Sequence, residues 1–192
     1  MRIIGGIAGG TQLKAPKGYA VRPTPDLVRQ AVFNSLGERV VQARVLELFG
    51  GTGALSLECL SRGAHSAVCI ELSAKHARFI QDNLRLSRLP AENFHMRVQD
   101  VFVAIPQLAA SGTLFDLILA DPPYGEKNVG RRSTSLAQRL LDNASLPRLL
   151  APDGLFILGH TRRDTLDIPP LWRETKTMRH GDSMMRFLTL NP

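Results

Sequence analysis

At 192 residues the chain suits one α/β domain with a sizeable core and leaves little room for a second. Twenty-four Lys and Arg against 17 Asp and Glu give a net charge of +7, which draws polyanions and points to a nucleic-acid partner. Aromatic residues make up only 6%, which argues against a broad single-strand stacking platform. No apolar run approaches the roughly 18 residues of a membrane span, and the Met1–Gly6 start lacks a secretory signal pattern. Cys59 and Cys69 are too few for a disulfide framework and read as buried free thiols, so a cytoplasmic protein is expected.

Residues 1–25, rich in Gly, Pro and basic side chains, are expected to form a small hairpin-like extension, with one domain over 26–192. Asp26 is placed to cap a helix to about Leu36, with Leu27, Ala31, Val32 and Ser35 or Leu36 on one side. Arg44–Phe49 reads as a strand, and Ala54–Ser61 as a helix closed by Gly63. Ser66–Leu72 is a second strand, and Ser73 caps a helix through about Leu86. A strand at Phe94–Val98 and a helix over Val101–Leu108 follow, then a strongly apolar and therefore central strand at Leu114–Ala120. Ser135–Ala144 is helical and Gly154–Leu158 is a fifth strand. Trp172–Met178 and Met184–Leu190 flank a turn at 180–183. The alternation predicts an α/β fold: a mostly parallel seven-stranded sheet with one antiparallel strand and helices on both faces.

In such a sheet, ligands bind beyond the carboxyl ends of the strands. The first strand ends in Glu47-Leu48-Phe49-Gly50-Gly51-Thr52-Gly53, whose glycines permit a tight turn and close backbone approach to a ligand. The loop lacks the Lys-Ser/Thr pair of a P-loop, and Ser56 replaces the third glycine of a dinucleotide fingerprint. Glu71, with Leu72 behind it, stands about 20 residues on, where an acid accepts the ribose hydroxyls of an adenosine ligand. Asp100 is placed either to contact an adenine amino group, with Val101 packing on the ring, or to cap the next helix. Asp121-Pro122-Pro123-Tyr124 is the most specific feature. Its prolines fix the backbone and free the Pro122 carbonyl, Asp121 adds a second acceptor, and Tyr124 offers a stacking face. Two acceptors and a ring match an exocyclic amino group on a base.

These four strand-end segments resemble the class I, Rossmann-like methyltransferases that modify amino groups. More narrowly, Arg22-Pro23-Thr24-Pro25-Asp26-Leu27-Val28-Arg29 through Phe33-Asn34 and the Leu60–Ala64 stretch resemble the RsmD-like 16S ribosomal RNA (guanine-N2) methyltransferase family. The resemblance covers nearly the whole chain. Glu47, Gly50, Thr52 and Gln30 are mild variants of the family pattern, and Gly159-His160 stand where an acid is common. The resemblance implies S-adenosyl-L-methionine as cofactor, held by Glu47, Phe49, Gly50, Gly51, Gly53, Glu71, Leu72, Asp100, Val101 and Asp121. It implies chemistry at Asp121, Pro122, Pro123 and Tyr124 without a metal. Substrate contacts are expected from Arg22, Thr24, Arg29, Asn34, Tyr124, Arg131 and Arg132, with Arg162 and Arg163 as further phosphate candidates and Gly125–Ser135 as a lid. The partner implied is ribosomal RNA, within an assembling small subunit, met by a monomer. Two alternatives stay open: methylation of adenine N6, and a non-catalytic RNA-binding assembly factor on the same fold.

Overall fold

The structure is a computed structural model that describes residues 1–15, 25–124 and 131–192. Within the described residues, five α-helices alternate with the first five strands, and two more strands follow. They are α1 (Asp26–Leu36), β1 (Arg44–Leu48), α2 (Ala54–Ser61), β2 (Ser66–Glu71), α3 (Ala74–Ser87), β3 (Phe94–Val98), α4 (Val101–Ala110), β4 (Phe115–Ala120), α5 (Leu136–Leu141), β5 (Leu150–Thr161), β6 (Trp172–His180) and β7 (Ser183–Leu190). One sheet runs in the order β3-β2-β1-β4-β5-β7-β6. The first five strands are parallel neighbours, and β7 pairs antiparallel with both β5 and β6. The expected topology, including its one antiparallel strand, is therefore present.

Helices cover both faces because strand side chains alternate. Val45, Leu117 and Leu119 pack with Val32, Phe33, Leu57 and Ile80 of α1, α2 and α3. Leu46, Leu48, Ile118 and Ala120 pack with Ile105, Leu108 and Leu140 of α4 and α5. A central strand clothed on both sides reads as a continuous apolar run, as β4 does.

Helix ends follow local chemistry. Ser73 and Ser135 accept backbone N–H bonds from His76 and Gln138 at the starts of α3 and α5. After α2, the Gly63 N–H reaches Leu60 O and the Ala64 N–H reaches Cys59 O, the paired bonds of a Schellman stop. Three expectations need correction. Pro25, not Asp26, holds the cap position of α1; Asp26 opens the helix and turns its carboxylate to Arg29. The buried side of α1 is Val28, Arg29, Val32, Phe33 and Leu36, so Leu27 is exposed. Strand β5 is twelve residues long rather than five, extended through a register shift against β4.

The N-terminal extension is stitched to the domain, not loosely attached. Arg2 bridges Gln12 in an antiparallel pairing, and Ile3, Ala8 and Leu13 join the core. Buried Glu58 accepts the N–H groups of Ile4 (2.6 Å) and Gly5 (2.9 Å). Ser61 Oγ accepts from Ala8 N–H, and Asn83 pairs with Lys14 through both of its amide atoms. Among the described residues, no helix is long and apolar enough to cross a membrane.

Candidate active site

The order of the sheet reverses between β1 and β4, so the loops that follow these strands diverge and leave a crevice at their carboxyl ends. A cavity of about 360 Å³ lies there. Phe49 and Gly51 enter from the loop after β1, and Glu71, Leu72 and Ser73 from the end of β2. Asp100, Val101 and Phe102 come from the end of β3, and Asp121 and Pro123 from the end of β4. His76 of α3 and Leu136 and Arg139 of α5 complete the lining.

The loop after β1 is built to bring backbone close. Phe49 has φ +62, a left-handed conformation that costs a bulky residue energy and recurs at functional sites. Gly53 has φ +74, and a Cβ at Gly50 would lie 2.3 Å from Cys69 Sγ. Only glycine at 50 lets the loop lie flat on β2. Beneath the loop, Glu47 is 2% exposed and its carboxylate accepts from Ser56 N–H (3.0 Å) and Ser56 Oγ. Burial outweighs these donors and pushes its pKa up to about 7. Burial also raises the thiols of Cys59 and Cys69 well above their ordinary value, which leaves both unreactive.

Glu71 fastens the rim. Its two oxygens accept from Gly51 N–H (2.7 Å) and Ser73 N–H (2.8 Å), and His76 Nδ1 lies 3.4 Å away. Asp100 caps α4, accepting from Phe102 N–H at 2.7 Å, and also lines the cavity. The far wall is aromatic and cationic: Phe49 and Phe102 meet edge to face at 6.3 Å, and the Arg139 guanidinium lies 3.9 Å from the Phe102 centroid.

At the end of β4, Pro122 is buried, Asp121 is half-buried and Tyr124 is exposed. The Tyr124 hydroxyl meets Ser183 Oγ at 3.2 Å, which ties this segment to the β6–β7 hairpin. A Cβ at Gly159 would stand 2.4 Å from Asp121 Oδ1, so the Asp121 side chain lies over β5 where no side chain competes. Next to it, His160 is buried, with Nδ1 on Thr161 O and Nε2 accepting from Arg186 Nε at 2.9 Å. Burial and the Arg186 charge hold its pKa below the usual value, which keeps it neutral.

Of the expected site residues, Phe49, Gly51, Glu71, Leu72, Asp100, Val101, Asp121 and Pro123 share the cavity wall. Glu47, Gly50 and Gly53 support it from behind. Arg29 does not line the cavity. It is 1% exposed and donates to Asp26 and to the carbonyl of Arg2, because a buried guanidinium must find acceptors. Asn34 is exposed on α1, and Arg132 pairs with Asp142 (2.8 Å) and Asp167 (3.4 Å), beside exposed Arg131. Arg22, Thr24 and most of the expected lid lie outside the described residues. His76, Phe102, Leu136 and Arg139 line the cavity without any mark in the sequence pattern. Phe102 follows Val101 directly and is the one within reach of sequence reasoning.

Comparison with known proteins bears on the family and the fold. The family model described as conserved hypothetical protein 95 matches residues 1–189. The chain belongs to this family. Several relatives are named ribosomal RNA small subunit methyltransferase D. That of Escherichia coli K12 is 38% identical over 124 residues, 65% of this chain and 60% of its own. That of Haemophilus influenzae is 29% identical over 183 residues, 94% of this chain and 89% of its own. The solved structure of a hypothetical protein from Thermus thermophilus superposes with a TM-score of 0.78 at 27% identity, over 99% of both chains. A more distant structure shares the fold at 24% identity and a TM-score of 0.67, over 91% of this chain and 45% of its own. It is the Thermus thermophilus 16S rRNA N2 G1207 methyltransferase in complex with AdoMet and guanosine.

Proposed function

We propose that this family member transfers a methyl group from S-adenosyl-L-methionine to the exocyclic N2 of a guanine in small-subunit (16S) ribosomal RNA, on an assembling subunit in the cytoplasm. The observation that carries the reading is the meeting of two features in one cavity. Asp121 and Pro123 of the Asp-Pro-Pro-Tyr segment line it together with the acids Glu71 and Asp100. The names of the relatives support the substrate class.

The residues present fit the cofactor. Glycine at 50 lets the loop lie against Cys69 and carries Gly51 into the cavity wall, and the lining is mostly apolar with the acids Glu71, Asp100 and Asp121 among it. Glu71 would take the ribose hydroxyls, Asp100 the adenine amino group, and Leu72 and Val101 the faces of the ring. When bound, the cofactor supplies an electrophilic methyl on a sulfonium. The chain supplies orientation and charge. The Asp121 carboxylate and the Pro122 carbonyl would accept the two N–H bonds of the target amine and turn its lone pair toward the methyl. Tyr124 would stack on the base, which must first leave its helix because its amino group is otherwise paired. Asp121 would also accept the proton that the methylated amine releases.

The test is transfer of labelled methyl to small-subunit particles from cells lacking this protein, followed by nucleoside analysis. The expected product is N2-methylguanosine, with Asp121→Ala slower by about 10²- to 10³-fold. Label on adenine N6 would redirect the substrate reading, and failure to bind S-adenosylmethionine would remove the enzyme reading.

A further inference from the structure

Cations stand at both ends of the sheet. At the amino ends of the strands, Arg44 pairs with Asp116 (2.9 Å), Arg39 donates to Asp153 O, and Arg148 and Arg173 are exposed. At the carboxyl ends of β5 and β6 three arginines gather beside the candidate active site. Strand β5 runs out at Thr161 into Arg162 and Arg163, and β6 runs out at Arg179 and His180. All three arginines are exposed, and the exposed acid Asp182 accompanies them.

These arginines are carried on one connected piece of backbone. Thr161 pairs with Ser183 across β5 and β7, and His180 pairs with Ser183 across the hairpin. The Arg162 N–H donates to Asp182 O at 2.7 Å, which pins the exit of β5 to the hairpin turn. Arg163 lies 3.8 Å from the Asp182 carboxylate with both side chains more than half exposed, a pairing that solvent screens and a stronger anion displaces. The same turn touches the candidate active site, since Ser183 Oγ meets the Tyr124 hydroxyl at 3.2 Å.

We propose that the tip of the β6–β7 hairpin, with the exit of β5, is the docking surface for the RNA backbone. On this proposal Arg162, Arg163 and Arg179 hold the phosphates that flank the target nucleotide while Tyr124 receives its base. The proposal rests on the rRNA methyltransferase reading and adds where the strand is gripped. Phosphate contacts fix register without reading sequence, which suits an enzyme that must present one extruded base to a fixed cavity. Asp182 acts as a brake, because it competes with phosphate for Arg163.

Filter binding of deproteinised small-subunit rRNA across a KCl series tests this. The triple variant Arg162→Ala, Arg163→Ala, Arg179→Ala is expected to lose affinity by roughly 10²-fold or more near 0.1 M salt, and its log-affinity against log-salt slope should be shallower by about two to three. S-adenosylmethionine affinity and thermal stability should be unchanged. Asp182→Asn should bind a few-fold more tightly, and Arg148→Ala, an exposed arginine just before β5 at the opposite end, should leave the slope as it is. A triple variant with the wild-type slope overturns the docking surface alone. Wild-type protein that binds S-adenosylmethionine but shows no salt-dependent affinity for rRNA overturns both this surface and the substrate reading.

Discussion

Single residues decide how the Asp-Pro-Pro-Tyr segment is held. Asp121 leans over β5 because position 159 is glycine, and a methyl group there would stand 2.4 Å from Asp121 Oδ1. Gly159 needs no positive φ, so alanine is compatible with the backbone and its effect should fall on the Asp121 carboxylate. Gly159→Ala is expected to lower kcat for methyl transfer by about 10²-fold, since sub-ångström to ångström displacements carry costs of that order. The KM for S-adenosylmethionine and the melting temperature should barely move. A kcat within about twofold of wild type, well short of that expectation, would show that Asp121 finds an equivalent position. The motif itself is legible because two prolines between an acid and a tyrosine are a rare string. The importance of Gly159 is not, because Asp121 follows a different strand, far away in sequence, and meets it only through the β4–β5 register.

At the scale of elements, the N-terminal hairpin and the cofactor loop share one buried anchor. Asn83 of α3 donates to Lys14 O (3.0 Å) and Thr52 O (2.9 Å) and accepts from Lys14 N–H (2.7 Å). Asn83→Ala strands three backbone groups at once, and buried groups left unpaired cost about 1–3 kcal/mol each before relaxation. A loss of about 2–4 kcal/mol in urea unfolding is expected, with weaker S-adenosylmethionine binding because Thr52 belongs to the loop. Stability lost without any change in cofactor affinity would show that the loop holds its shape independently. The same logic explains Arg29. Its place in the sequence suggests a substrate contact, yet it bonds the carbonyl of Arg2 and Asp26 and links the extension to α1.

For the whole molecule, two buried titrating groups shape the response to pH in opposite directions. Glu47 is raised from 4.5 to about 7, so it keeps its proton in the folded state after the unfolded chain has released it. Its stabilising contribution is complete below about pH 4.5, declines as pH rises, and is gone above about 7, a total of about 3 kcal/mol. His160 is held below 6.5 and stays neutral when folded, so its effect is a loss of stability as pH falls below 6.5. Glu47→Gln removes the first slope and leaves the second. Urea midpoints measured from about pH 5 to about pH 8 should therefore show wild type losing ground to Glu47→Gln up to about pH 7, with no further divergence above. Parallel curves would mean that Glu47 is ionised in the fold throughout.

Local pattern alone dictates the alternation of strands and helices, the central place of β4, the four strand-end segments and the chemistry that Asp121 and Tyr124 offer. Apolar runs, glycine turns, caps and a rigid acid-proline-proline-tyrosine string each act within a few residues, so they can be read from the chain directly. Other outcomes arise only when distant segments meet. Packing buries Arg29 and Glu47, carries β5 to twelve residues, brings His76, Phe102 and Arg139 to the cavity, and sets the hairpin tip against Tyr124. Each of these depends on which strand lies beside which and on how helices pack across the sheet. Such neighbours are fixed by the order in which the strands assemble and by long-range burial, and no window of sequence around any one residue encodes them.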